Sequence, residues 1–478
     1  MLQTRTAPAP RTTASHVWLA AWPVTAVFVL SNAATPLYVL WQHRIGFSRG
    51  TLTVIFACYI VGLLGSLLVS GVASDRLGRK PVLLPALAAA LVACGLFATA
   101  SSVAALMAAR LLTGIAVGAA VSAGMAAVTD VAGPDRRRLA ALLASTAMVF
   151  GAGLGPLLAG VLSETGPAWT VFALEAVLLV TAIAVVLRMP LPKRDRKDAS
   201  ERKNAAGRKG ASERGDAAER KGAAERKDTP ERGDASERKD AAERKDAAER
   251  KDAAERKDAA ERKDAAERKD AAERKDAAGR KAGWIRVPGV PHENRRHLAM
   301  GVAVFAPGIT ATSFVLSLGP SLLSGLLGTD NRIVAGATAF VMFIAATGVQ
   351  FAVQGLERRK VLLAGAVSTL VSMGTLVLAV QTRGVVPLVA AAVLAGAGQG
   401  LGQLGGLSLL NSNVPPRRLA EANAALNVGG YLLAGTLPVA AGYLSDPLGL
   451  PTGATLFAAV LAALAVAGAA VVAAPSRR

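Results

Sequence analysis

Cysteine is almost missing from this chain: Cys58 and Cys94 are the only two among 478 residues. Both sit inside apolar stretches, which excludes a disulfide framework and a zinc-ligating set. The four histidines, His16, His43, His292 and His297, are scattered and never fall at helical metal-ligand spacing, so no metal is expected. Charge is scarce as well, once one tract is set aside. Residues 198–281 hold 26 of the 54 basic and 23 of the 34 acidic residues. Elsewhere about one residue in ten is charged, against about one in four in a soluble domain. A soluble enzyme of this size is thereby excluded. A nucleic-acid partner is excluded too, because the net charge of +20 is dispersed in short clusters between apolar runs rather than gathered on one face. No glycine-rich phosphate cradle and no nucleophile–base constellation is present, so neither ATP-driven work, nor enzymatic chemistry, nor a cofactor is expected.

What is present is a series of apolar runs. A bilayer core about 30 Å thick requires about 20 apolar residues in a helix. Twelve stretches meet this: 17–41, 50–70, 82–100, 104–129, 139–163, 169–188, 298–325, 333–355, 361–381, 385–410, 420–444 and 452–473. They are continuous rather than alternating and rich in Ala, Leu and Gly, which favours helices over barrel strands. The first is too long for the core of a removable leader. Arg76, Arg79, Lys80, Arg136, Arg137, Arg138, Arg358, Arg359, Lys360, Arg417 and Arg418 fall in one set of connections. Only Arg44, Arg49, Arg332 and Arg383 fall in the other. The positive-inside rule then places both termini in the cytoplasm of a cell-membrane protein.

The chain repeats itself. Pro156-Leu-Leu-Ala-Gly160-Val-Leu162-Ser163-Glu164 closes the fifth run, and Pro438-Val-Ala-Ala-Gly442-Tyr-Leu444-Ser445-Asp446 closes the eleventh. Arg137-Arg138-Leu139-Ala140 and Arg417-Arg418-Leu419-Ala420 open the same two runs, and Arg79-Lys80-Pro81 matches Arg359-Lys360. Three matches in order predict an all-α membrane protein of twelve helices, built as two parallel six-helix repeats around a central cavity. The expected organisation is a half over 1–188, a charged cytoplasmic linker over 189–297, and a second half over 298–478. Within the linker, 198–281 is a run of fourteen hexapeptides, seven of them perfect copies of Asp-Ala-Ala-Glu-Arg-Lys. Six residues per repeat build no apolar stripe, so the tract is expected to be a solvated spacer.

The connection between the second and third runs reads Gly71-Val-Ala-Ser-Asp75-Arg76-Leu-Gly78-Arg79-Lys80-Pro81. It resembles the signature loop of the major facilitator superfamily, Gly-x-x-x-Asp-Arg-x-Gly-Arg-[Arg/Lys], in every fixed position. The twelve runs and the duplication are similar too. The resemblance implies a gating role for Gly71, Asp75, Arg76, Gly78, Arg79 and Lys80. Arg110-Leu-Leu-Thr-Gly114-Ile-Ala-Val-Gly118 is similar to a second pattern of that family, which implies that Arg110 couples protons or places the substrate. The competing reading is that Arg110 snorkels to the membrane face. Gly151-Ala-Gly153-Leu-Gly155-Pro156, followed by Gly160, resembles the Gly-x-x-x-Gly-Pro pattern of the antiporter branches, and implies export in exchange for protons. A packing face against the eighth or eleventh run explains the same glycines.

Polar residues near mid-run are candidate cavity liners: Asn32, Tyr38, Gln350, Gln399, Gln403, Asn427 and Tyr431. Glu175 is the one carboxyl well inside a run and is a candidate proton carrier. The expectation is a monomeric secondary transporter in a lipid bilayer. It would move a small, mainly apolar or amphipathic molecule by alternating access, with proton-coupled efflux ahead of two alternatives. One is proton-coupled uptake of a sugar or metabolite, and the other is a receptor that transports nothing.

Overall fold

The structure is a computed structural model and describes residues 14–133, 136–189, 288–325, 328, 331–415 and 418–474. These belong to one compact unit, Met1–Pro192 with Ile285–Arg478; a second unit, Lys193–Trp284, lies outside the described residues. The hexapeptide tract and its expected spacer role fall there.

Among the described residues, twelve helices are long and apolar enough to cross a bilayer. They are α1 (Val17–Ile45), α2 (Arg49–Leu77), α3 (Lys80–Ala98), α4 (Val103–Ala132), α5 (Arg137–Thr165) and α6 (Trp169–Arg188). The second six are α7 (His292–Gly325), α8 (Arg332–Ala352), α9 (Arg358–Thr382), α10 (Val385–Asn413), α11 (Leu419–Leu448) and α12 (Leu450–Ala473). No strand occurs among the described residues. Several helices outrun their apolar stretch, because backbone hydrogen bonding continues until a breaker intervenes. Gly46 ends α1 at φ 78° and Gly78 ends α2 at φ 96°, conformations that cost a side chain energy. Ser48, Ser102 and Asn331 cap the starts of α2, α4 and α8 with side-chain oxygens. Large apolar side chains such as Val61, Val92, Val177 and Leu378 stay exposed. Such surface on a well-packed bundle is what a lipid-facing exterior requires.

The two groups of six pack alike. In the first, α1 packs on α5 and α6, α2 on α4, and α3 on α4 and α6. In the second, α7 packs on α11 and α12, α8 on α10, and α9 on α10 and α12. The halves meet along two seams, α5 with α8 and α2 with α11. The duplication reaches the atoms. Gly114 lies against the Tyr59 carbonyl oxygen and Gly118 against that of Leu63, while Gly396 lies against the Met342 carbonyl and Gly400 against that of Ala346. In both halves two glycines one turn apart let backbones touch, the small-residue packing that replaces the hydrophobic effect in lipid.

Two spans are irregular. Thr35–Leu37 forms a 3₁₀ turn that interrupts α1 where Pro36 removes a donor. Ala120–Gly124 forms a π turn in α4. Such turns inside helices often accompany functional sites.

Candidate functional site

Arg110 stands at the centre of the first half. It is fully buried, which removes the snorkelling alternative. Its Nη1 donates to the Ser31 carbonyl at 2.7 Å. Its guanidinium carbon lies 4.9 Å from the ring centres of both Phe56 and Tyr59 and 5.8 Å from that of Tyr38. Aromatic faces attract a cation, and a dry setting strengthens that attraction. Asn32 donates to Ser31 Oγ at 3.0 Å, which fixes the turn that holds Arg110. The cage reaches the second half through Tyr59, which lies within electrostatic reach of Tyr431. Tyr431 in turn meets Phe305 edge-on at 6.4 Å. The sequence singles out Arg110, Tyr38, Asn32 and Tyr431 but not Phe56, Tyr59 and Phe305. With aromatics at only 4% of the chain, the recurrence of Phe56 and Tyr59 one turn apart is the signal that marks them.

The remaining candidate liners do not gather there. Gln350 and Asn427 bond to carbonyls of their own helices, Ala346 at 3.1 Å and Asn423 at 2.9 Å. Gln399 is half-buried with Oε1 unpartnered. Its backbone lies against Gly308 of α7. Gln403 lies one turn further along α10, also half-buried.

Glu175 is buried between α6 and α3, beside Cys94, with Oε2 unpartnered. One turn away, Trp41, Phe97 and Phe172 stack at 5.1–6.0 Å. Glu175 and Arg110 form no ion pair with one another.

The signature loop is built around Arg79. Its Nη1 donates to Asp75 at 3.0 Å and to Ser74 at 2.6 Å, and its Nε donates to Asp130 of α4 at 2.9 Å. Burial acts to lower its pKa, but the hydrogen bonds to Asp130 and Asp75 outweigh it and hold the group above its ordinary value. Lys80 Nζ donates to the last turn of α6 at the Leu187 carbonyl, 2.8 Å. Gly71 lies within the last turns of α2, and Arg76 is exposed. Asp130 is not among the expected site residues, although an acid at the end of a span facing a basic loop marks it.

In α5, Gly151 and Gly155 abut the Thr25 and Val29 carbonyls of α1, whereas Gly160 and the Pro156 carbonyl meet α8 at Arg332 and Gly336. One helix therefore serves both an internal contact and a seam. At the end of the bundle away from the basic loops, both seams are closed by carboxylates. Glu164 accepts from the Arg332 backbone N–H at 2.7 Å, and Asp446 accepts from those of Arg49 and Gly50 at 2.9 and 3.1 Å. Beneath them, between α1 and α7–α8, lies a cavity of about 220 Å³ lined by Pro36, Leu40, His43, Pro320, Ser324 and Arg332. At the basic end Arg79 pairs with Asp75 and Asp130, Lys360 with Glu357, and Arg418 with Glu421.

A sequence profile described as Major Facilitator Superfamily matches residues 17–356. No curated protein sequence matches the chain. Solved structures share the fold, among them the two that follow. The nucleoside transporter NupG aligns with a TM-score of 0.62 at 12% identity, covering 96% of this chain and 99% of its own. A point mutant of the same transporter aligns with a TM-score of 0.62 at 11% identity, covering 95% and 99%.

Proposed function

This chain belongs to the major facilitator superfamily and is an integral multi-pass secondary transporter rather than an enzyme, and we propose that it exports a small amphipathic molecule in exchange for protons. The observation that carries this reading is the pair of equivalent seams. Each joins a span of one half to a span of the other, and each is fastened at the end away from the basic loops by Glu164 or Asp446. Two rigid halves fastened at one end and holding polar groups at mid-span are suited to rocking. By the positive-inside rule the basic connections favour the cytoplasm for the other end of the bundle, and for both termini.

Exchange is favoured by α5. Pro156 frees a backbone acceptor, and the glycines around it leave a smooth face that slides on α1 and α8. Glu175 is the proposed proton carrier, since it is a buried carboxyl with an unpartnered oxygen and no cation paired to it. A receptor without transport has no support from the fold. Uptake is the competing direction, and flux decides. In inside-out vesicles with an acidic lumen, a panel of labelled amphipathic compounds should accumulate, and Glu175→Gln should abolish gradient-driven accumulation while preserving exchange at equal pH. Accumulation only in right-side-out vesicles under an inward proton gradient would establish uptake instead.

A further inference from the structure

Arg110 has more to offer than the structure uses. One end of its guanidinium is anchored, with Nη1 on the Ser31 carbonyl. Nε and Nη2 are buried and have no hydrogen-bond partner. Those two N–H groups lie on the same edge of the planar group and point the same way. Their spacing is that of the two oxygens of a carboxylate or phosphate, which is why this edge forms paired, parallel hydrogen bonds with such groups. The Tyr38 hydroxyl, on a ring beside the guanidinium, is also buried without a partner. The cage therefore gathers three unused N–H or O–H donors and one full positive charge.

Nothing among the described residues answers them. Among the described residues no carboxylate pairs with Arg110, and the neighbouring rings of Phe56 and Tyr59 cover its faces but offer no acceptor to its edge. Buried donors left unmade are costly, and a buried charge without a counter-charge is costlier. A transporter carries such a cost where a ligand relieves it during the cycle. The ring of Tyr59 that lies over Arg110 belongs to α2, which forms a seam with α11 of the other half, so motion along that seam changes the surroundings of the guanidinium.

We propose that the free edge of Arg110, together with the Tyr38 hydroxyl, binds an oxyanion: a carboxylate, phosphate or sulfonate. The inference rests on the transporter reading above and narrows it, because the amphipathic cargo then carries an acidic group against its apolar body. The same chemistry has a second source, a free inorganic anion travelling as co-ion.

The test uses the purified full-length protein and its thermal unfolding with benzoate, phenyl phosphate, sodium sulfate, sodium phosphate and the uncharged benzamide, at constant ionic strength. A ligand that binds only the folded protein raises the midpoint, by a stabilisation that grows as RT ln(1 + L/Kd), where L is the free ligand concentration. The organic acids should raise it and benzamide should not. Arg110→Gln should remove the response and Arg110→Lys should retain part of it. Tyr38→Phe should weaken binding about tenfold, the loss expected for one hydrogen bond to a charged group. Response to the organic acids alone assigns the anion to the cargo, and an equal, Arg110-dependent response to sulfate or phosphate assigns it to a co-ion. General salt stabilisation would appear undiminished in Arg110→Gln and is subtracted by it. Should Arg110→Gln fail to fold, Tyr38→Phe decides alone. Equal response to benzamide and benzoate, unchanged anion response in Tyr38→Phe and Arg110→Gln, or silence to every anion would overturn the proposal. Proton-driven flux is measured separately, so its absence with anion binding intact would remove the exporter reading and leave this site standing.

Discussion

Glu164 and Asp446 hold equivalent places in the two repeats, and each caps the first turn of a helix in the opposite half. A carboxylate at a helix N-terminus satisfies orphan N–H groups and meets the positive end of the helix dipole, worth about 0.3–1 kcal/mol when exposed and up to ~2 when partly buried. Both caps break when the halves part at this end. Together they bias the equilibrium by about 2 kcal/mol, roughly 30-fold in population. Glu164→Gln with Asp446→Asn should therefore open this end of the bundle. Ser324→Cys, at the rim of the neighbouring cavity, reports it in a background lacking Cys58 and Cys94: a membrane-impermeant maleimide should label it many-fold faster in the double variant. Unchanged labelling would show that the caps do not hold the seam.

Arg79 is the hub at the other end. Its side chain is 18% exposed, against 53% for Asp75 and 36% for Asp130. Exposed pairs contribute about 0.2–1 kcal/mol, so neither acid alone should decide folding. Both share one guanidinium, so Asp75→Asn and Asp130→Asn should each slow transport several-fold and combine less than additively. Arg79→Lys should not rescue, because an ammonium cannot serve Ser74, Asp75 and Asp130 from a planar fork. Wild-type transport by Arg79→Lys at normal insertion would refute the hub.

The spans, the duplication and the signature loop are all legible in the sequence, because each is written in local chemistry. Continuous apolar runs give the helices, and Pro156 with Glu164 against Pro438 with Asp446 gives the repeat. Gly396 and Gly400 are the counterparts of Gly114 and Gly118 in their packing, but Gly398 with Gly402 has the same spacing, so the sequence alone does not single them out. What the sequence hides is the partner of each group. Nothing near Glu164 names Arg332, nothing near Arg79 names Asp130, and nothing near Arg110 names Tyr59. Those pairings depend on how far each helix is rotated and where the halves meet. Gln350 and Asn427, two of the seven polar residues at mid-run, show what position along a span leaves open. Depth in the bilayer is readable from position along a span, but the direction of a side chain is not, and Gln350 and Asn427 turn back to their own helices.

The paired glycines make a graded prediction. A Cβ on Gly114 or Gly396 would run into the backbone of Tyr59 or Met342, which has no rotamer to yield. Gly114→Ala and Gly396→Ala should each destabilise by about 1–3 kcal/mol, the cost of overpacking a tight contact. Gly65→Ala, on the exposed face of the same α2, meets nothing within 4 Å. Replacing a helical glycine there should be neutral or stabilise by up to ~1 kcal/mol. Thermal unfolding of the three purified variants separates them, and equal midpoints would contradict the close helix approach.

The hexapeptide tract yields the last prediction, argued from sequence and from the helices that flank it. Excising 234–275 removes seven whole repeats and should leave transport intact. The two halves need a connection only between the end of α6 at Arg188 and the start of α7 at His292. After excision about 60 residues still join them, and a flexible chain of that length has a root-mean-square reach of about 5–6 Å × √60, roughly 43 Å. Helices packed about 10 Å apart make a twelve-helix bundle about 40 Å across, so the shortened connection spans it without tension. Closure entropy changes only with the logarithm of length, so halving the linker shifts it by less than about 1 kcal/mol. The excised repeats carry no large apolar side chain to dock on the bundle, and their acidic and basic residues are balanced within each repeat. Transport at the wild-type rate per inserted molecule is the expected result. A shortened protein that inserts normally yet moves no cargo would make the tract a working part of the cycle.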